Sequence, residues 1–179
     1  MYLRYFFWNF VGRQNDVQGQ TSNNMEGNWI TGIKAFDDFK LDTDTSKTIY
    51  RNKNNFANNH FYALPLILGL CGMIFHFKRS KTDAWVVMCF FLLTGLGIIV
   101  YLNQSPYQVR ERDYAYVGSF YAFAIWIGFG VLYVFDFLLK QKISSKAAIF
   151  SCVLCFIVPV LMAKEGWNDH NRSQRTLSR

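Results

Sequence analysis

The sequence predicts an all-α integral membrane protein, with four transmembrane helices preceded by an interfacial aromatic helix and a long extracytoplasmic loop. Three observations lead there. Charge is spread unevenly: of 31 charged side chains in 179 residues, 13 fall in residues 1–60 and only 12 in residues 61–163. Those twelve gather at 78–83, 110–113 and 140–146, with Asp136 alone between clusters. The stretches between them are apolar on every side, whereas a soluble core helix keeps a polar stripe at the helical period. Aromatic content is also high, at 18%. A mean hydropathy near zero hides this division, because it averages a polar half with a greasy one. The pattern excludes a disordered chain, a disulfide scaffold and a plain water-soluble enzyme. A membrane β-barrel is excluded as well, since strict apolar–polar alternation is absent.

Residues 1–16 read as an interfacial aromatic helix and turn. Tyr2, Tyr5, Phe6, Phe7, Trp8 and Phe10 crowd its first eleven residues, a composition suited to the headgroup level. Gly12 then permits a stop. Residues 17–60 are rich in Asn, Thr, Ser, Asp and Lys, with scattered aromatics, and read as a polar external loop partly ordered against the bundle. Asp37 and Asp38 stand side by side there. With no neighbouring ligands they read as a solvated turn rather than a metal or catalytic pair.

The four spans are 61–77, 84–102, 115–139 and 147–163. The first is short for a bilayer core of about 30 Å but adequate if its ends snorkel. Pro65 sits in its first turn, where a missing N–H is harmless. The second carries no charge. The third is long enough to tilt. The fourth contains Pro159 and should kink there. Asp136 and Lys140 are four residues apart and read as an interfacial ion pair. Gly69, Gly72, Gly95, Gly97, Ala124 and Gly128 offer small faces for helix packing. Residues 164–179 form a polar tail.

Lys78, Arg79 and Lys81 join spans one and two, and Lys140, Lys142 and Lys146 join spans three and four. The positive-inside rule puts both connections in the cytoplasm. The loop between spans two and three, residues 1–60 and the tail then face outward, with both termini extracytoplasmic. The net charge of +7 does not indicate nucleic acid, because the basic residues sit at the ends of apolar runs rather than on one face. Cys71, Cys89, Cys152 and Cys155 lie inside apolar runs and read as small apolar thiols. No metal-ligand spacing, phosphate-binding glycine loop or nucleophile motif occurs.

Two segments carry candidate chemistry. In the loop before span three, Arg110, Glu111, Arg112, Asp113 and Tyr114 follow one another. In an extended backbone Arg110, Arg112 and Tyr114 share one face and the two acids the other. Paired arginines can grip a phosphate or diphosphate with forked hydrogen bonds. A self-neutralising network capping span three is the other reading. In the second segment Arg13 and Asp16 follow the aromatic helix, where they either meet a charged headgroup or form an ordinary helix end.

The runs YLRYFFWNFVGRQNDVQGQ (2–20), NNHFYALP (58–65) and YLNQSPYQVRERDYAYVGSFYAFAIW (101–126) resemble a large membrane family best known in the Bacteroidota. That family was first catalogued as a domain of unknown function and is placed with the protein O-mannosyltransferase-like enzymes of the GT-C glycosyltransferase superfamily. The resemblance implies a transferase of the bacterial inner membrane. Such an enzyme takes a sugar from a polyprenyl-phosphate donor at the outer face and passes it to a protein or glycan acceptor. No resident cofactor is evident in the sequence, and the polyprenyl-phosphate sugar enters as the donor substrate that the resemblance implies. On this reading Arg110 and Arg112 engage the donor phosphate, supported by Glu111, Asp113 and Tyr114, and Arg13 and Asp16 line the same cleft. No residue is assigned as the catalytic acid, which the family carries in a first external loop. Met1 would match an internal position of that family, so the resemblance implies a fragment. A non-catalytic membrane scaffold, or a subunit handling lipid-linked substrates, is the alternative.

Overall fold

The computed structural model describes residues 2–15, 27–41, 57–103, 113–141 and 144–170. In chain order it contains helix α1 (Tyr2–Phe10), strand β1 (Gly12–Arg13), helix α2 (Lys34–Lys40), strand β2 (Asn59–His60) and helix α3 (Leu64–Arg79). Next come α4 (Lys81–Leu92), a π-helical turn at Leu93–Gly97, and α5 (Ile98–Leu102). A 3₁₀ turn at Asp113–Tyr116 opens α6 (Val117–Lys140), and α7 (Ser145–Cys155) and α8 (Ile157–His170) complete the order.

Three helical rods are long and apolar enough to cross a membrane: Lys81–Leu102, Tyr114–Lys140 and Lys146–Trp167. The first and last have 22 residues each, or about 33 Å at 1.5 Å per residue. Only 6% of either span is buried by the rest of the chain. So much apolar surface left uncovered belongs against lipid. These are the features of a multi-pass membrane protein. Among the described residues the first of the four expected spans differs from expectation. Helix α3 has 16 residues, about 24 Å, and starts at Leu64 because residues 61–63 turn the chain in from β2. It is too short to match the other three by length.

The bundle is organised on α6. Helix α3 lies against it so closely that a methyl added at Gly72 would collide with the Trp126 carbonyl and the Gly130 amide. One added at Gly130 would collide with the Leu68 carbonyl, and one at Gly69 with the Phe123 ring. This is the small-residue packing of membrane helices, in which missing side chains let backbones touch. The expected set of small faces is corrected in part. Gly128 has nothing near it and Ala124 is exposed, so that stripe faces away from the protein, and Gly130 takes its place.

The π turn in the Lys81–Leu102 rod contains Thr94, whose hydroxyl donates to the Phe90 carbonyl at 2.7 Å, a back-bond that bends helices. Gly95 there meets the Tyr2 ring; an added Cβ would stand 2.7 Å from Tyr2 Oη. The last rod breaks at Phe156, whose N–H donates to Val153. Pro159, three residues on, clashes with a straight continuation. Beyond it α8 runs to His170, so residues 164–170 continue the helix instead of opening the tail. Asp136 and Lys140 pair at 2.7 Å. The four cysteines are free thiols.

Helix α1 has the expected extent but a different setting. The reading of wet rings at a headgroup surface is corrected: Tyr2, Tyr5, Phe6, Trp8 and Phe10 are buried inside the protein. Phe6 and Phe10 pack on Phe123 at ring separations of 4.9 and 4.6 Å, and Phe6 also meets Phe91 at 6.0 Å. Tyr2 meets Tyr116 edge-on at 5.4 Å. Each such pair adds about 0.5–1.5 kcal/mol beyond area burial, and their number keys α1 between the Lys81–Leu102 rod and α6.

Candidate functional site

Where α1 ends, three chain segments fold into a small polar knot. Its centre is Gly12. Gly12 and Arg13 pair antiparallel with His60 and Asn59, and on the other side Arg13 bridges to Trp29. Gly12 has φ of +143°, and a Cβ there would lie 2.5 Å from both the Asn59 and Ile30 carbonyl oxygens. Only glycine fits between those two strands. Backbone bonds tie the layers: Ile30 N–H to Gly12 at 3.2 Å, Gln14 N–H to Asn28 at 3.0 Å, Phe61 N–H to Val11 at 3.1 Å and Tyr62 N–H to Thr31 at 3.0 Å.

The glycine-arginine-glutamine-asparagine sequence at 12–15 is thereby accounted for residue by residue. Arg13 donates through Nε to the Ala57 carbonyl at 3.1 Å, and its guanidinium lies 5.7 Å from the Trp8 ring centre. Gln14 Oε1 accepts from the Asn28 backbone and side chain, both at 3.1 Å. Asn15 accepts from the Gly27 N–H at 3.0 Å. Part of the Arg13 guanidinium is therefore engaged in holding the knot.

Asp37 departs from the sequence reading. It is 1% exposed, not solvated. One carboxylate oxygen accepts from the Thr31 N–H and hydroxyl, both at 2.9 Å, and the other from the Gly32 N–H at 2.9 Å. A buried charge is tolerable only with such satisfaction. It turns the 31–33 loop onto β2, where a Cβ at Gly32 would stand 2.8 Å from that of His60. Asp38 is half-buried. Lys40 donates to the Trp29 carbonyl at 2.6 Å and lies over the Trp29 ring, 3.2 Å from its centre. Burial lowers its pKa to about 8, opposed by the Asp37 charge.

The exit from the knot is strained. Tyr62 and Ala63, neither of them glycine, both have φ of +54°. Successive left-handed residues cost roughly 1–2 kcal/mol each and tend to mark functional corners. Beside them four buried polar atoms have no partner among the described residues: Trp8 Nε1, Asn58 Oδ1, Asn59 Oδ1 and His60 Nδ1. Burial holds the His60 imidazole below its ordinary pKa, against the opposing charges of Glu165 on α8 and of Asp37. Sequence reasoning missed Asn59 and His60, for which the asparagine-asparagine-histidine run was the available signal, and it set Asp37 aside as part of a solvated turn.

Of the expected site residues, Arg13 is in this knot. Asp16, Arg110, Glu111 and Arg112 lie outside the described residues. Asp113 begins the 3₁₀ turn, and Tyr114 is 61% exposed. Tyr116, two residues on, packs at 6.1 Å on Tyr5, Tyr5 at 5.5 Å on Trp8, and Trp8 under Arg13. A continuous aromatic path thus joins the Tyr114 segment to the Arg13 segment. No group of three or more His, Cys, Asp or Glu residues able to hold a metal occurs among the described residues. No family model matches the chain, and neither a curated protein nor a solved structure matches it.

Proposed function

We propose that the chain is the membrane portion of a GT-C-like glycosyltransferase, moving a sugar from a polyprenyl-phosphate donor to a protein or glycan acceptor at the outer face of the bacterial inner membrane. In this reading α3 is the first of four spans, α1 lies at the depth of the outer interface, and the knot and both termini are extracytoplasmic. The lysines and arginine at 78–81 and the lysines at 140–146 hold the opposite ends in the cytoplasm.

One observation carries the reading. The three runs that resemble the family are far apart in sequence, yet they meet: 2–20 pairs with 58–65 through β1 and β2, and 101–126 packs on α1 through Tyr116, Phe120 and Phe123. Their meeting place has a strained corner and buried polar atoms with no partner among the described residues, features that favour a binding site over a packing joint. Arg110 and Arg112 would hold the donor phosphate and stabilise it as it departs. Asn58, Asn59 and His60 would border the sugar. A carboxylate base is also required, and none is assigned.

The test is binding of polyprenyl-phosphate mannose to the chain in lipid nanodiscs. A hydrogen bond to a charged group contributes about 1.5–3 kcal/mol, so Arg110→Ala and Arg112→Ala should each weaken binding roughly 10- to 100-fold. Asp136→Asn, at the far end of α6, should not. Unchanged binding in both arginine variants would remove the reading. Equal binding of polyprenyl phosphate lacking the sugar would favour the lipid-handling subunit.

A further inference from the structure

Helix α2 is built inside out. Its buried face carries the acid, Asp37, together with Leu41 just beyond its end, which packs on Ile30. Its outward face carries Phe36 and Phe39, 48% and 91% exposed, with Ile33 at its start 49% exposed. A polar loop helix facing water would present the reverse arrangement. The three hydrogen bonds to Asp37 lock this orientation, so the phenylalanines cannot roll inward while the carboxylate remains paired.

What covers them follows from their neighbours. The Tyr62 N–H bonds to Thr31, which sets the Ile33 loop beside the first turn of α3. There Tyr62, Leu64, Ile67, Leu70 and Ile74 are all exposed, spaced three or four residues apart from Leu64 on. The Ile33 end of the outward face of α2 is thereby set near Tyr62, where the apolar stripe of a bundle helix begins. Lys34 begins α2 and is exposed, a position from which a cation reaches lipid phosphates while the rings sink below, whereas Lys40 at the other end is held on Trp29.

We propose that α2 is a membrane-surface anchor, with Phe36, Phe39 and Ile33 inserted into the leaflet next to the knot. It pins the knot at the depth of the lipid headgroups. The inference uses the membrane reading of the bundle and is independent of the sugar-transfer reading.

The full chain, with its four cysteines replaced by alanine, would carry a nitroxide at Phe39→Cys in phosphatidylglycerol–phosphatidylcholine vesicles. The expected result is oxygen accessibility above that of a water-soluble nickel chelate at position 39, and the reverse at Asn28→Cys. Nickel accessibility equal to that at position 28 would overturn the anchor. Low access to both reagents would overturn it too, because it would show a protein cover. If the cysteine-free chain fails to fold, a benzophenone amino acid replaces Phe39 in the native background. Photolysis should then yield adducts to phospholipid; adducts only to protein, or none, refute the proposal.

Discussion

The buried carboxylate of Asp37 gives the sharpest handle on the knot. Changing Asp37→Asn preserves shape but leaves one carbonyl oxygen where two carboxylate oxygens received three donors. At least one backbone N–H, of Thr31 or Gly32, then faces an amide NH₂. An unsatisfied buried donor costs about 1–3 kcal/mol, and the surviving bonds lose their charge assistance, roughly half their strength. A combined loss of about 2–4 kcal/mol in closing the knot corresponds to roughly 30- to 1,000-fold more frequent opening. Amide hydrogen exchange followed by mass spectrometry on peptides covering 27–33 and 57–63, in nanodiscs, reads that opening directly. Asp38→Asn is the internal control, because the adjacent acid is only half-buried. Unchanged protection in Asp37→Asn, or a larger effect in Asp38→Asn, would show that the carboxylate does not organise this loop.

Two further outcomes follow from the same packing. Gly72→Leu should lower the thermal unfolding temperature in detergent, since overpacking costs about 1–3 kcal/mol or more, whereas Gly128→Leu should leave it nearly unchanged; equal effects would refute the α3–α6 contact. The knot should also loosen in mild acid. Burial keeps folded His60 below the unfolded value of about 6.5, so the stability present above that pH is lost as pH falls toward the depressed folded value, where the opened chain binds the proton more readily. Exchange at 57–63, corrected for intrinsic rates, should quicken between about pH 7 and pH 5, and His60→Gln should remove the trend; the same trend in that variant would assign it elsewhere.

Much of the architecture was legible because lipid imposes a simple rule. The second, third and fourth runs lack charge over most of their length, so their helices could be placed from composition alone. Pro159 announced the break that falls at Phe156, and the four-residue spacing of Asp136 and Lys140 announced their pair. The rotation of α6 was not legible. A helix apolar on all sides has no polar face to fix its phase, and only the backbone approach of Gly72 distinguishes Gly130 from Gly128. Nor could composition separate Asp37 from Asp38. Thr31 and Gly32, which decide the matter, lie five or six residues away and act through a fold of the chain. The glycine at position 12 was legible as a stop signal, but the two carbonyls that require it come from Ile30 and Asn59. The aromatic helix was legible as a helix, while its burial depended on matching rings at Tyr116, Phe120 and Phe123 more than 100 residues away.

In the proposed orientation, a lipid-spanning bundle holds the knot on the side opposite the basic turns. Single cysteines at Ser80 and at Asn28, in the cysteine-free chain expressed in bacteria, test it with a membrane-impermeant maleimide. Position 28 should be labelled in intact cells and position 80 only after the membrane is opened. Labelling of Ser80→Cys from outside, or equal labelling of the two positions, would contradict the claim.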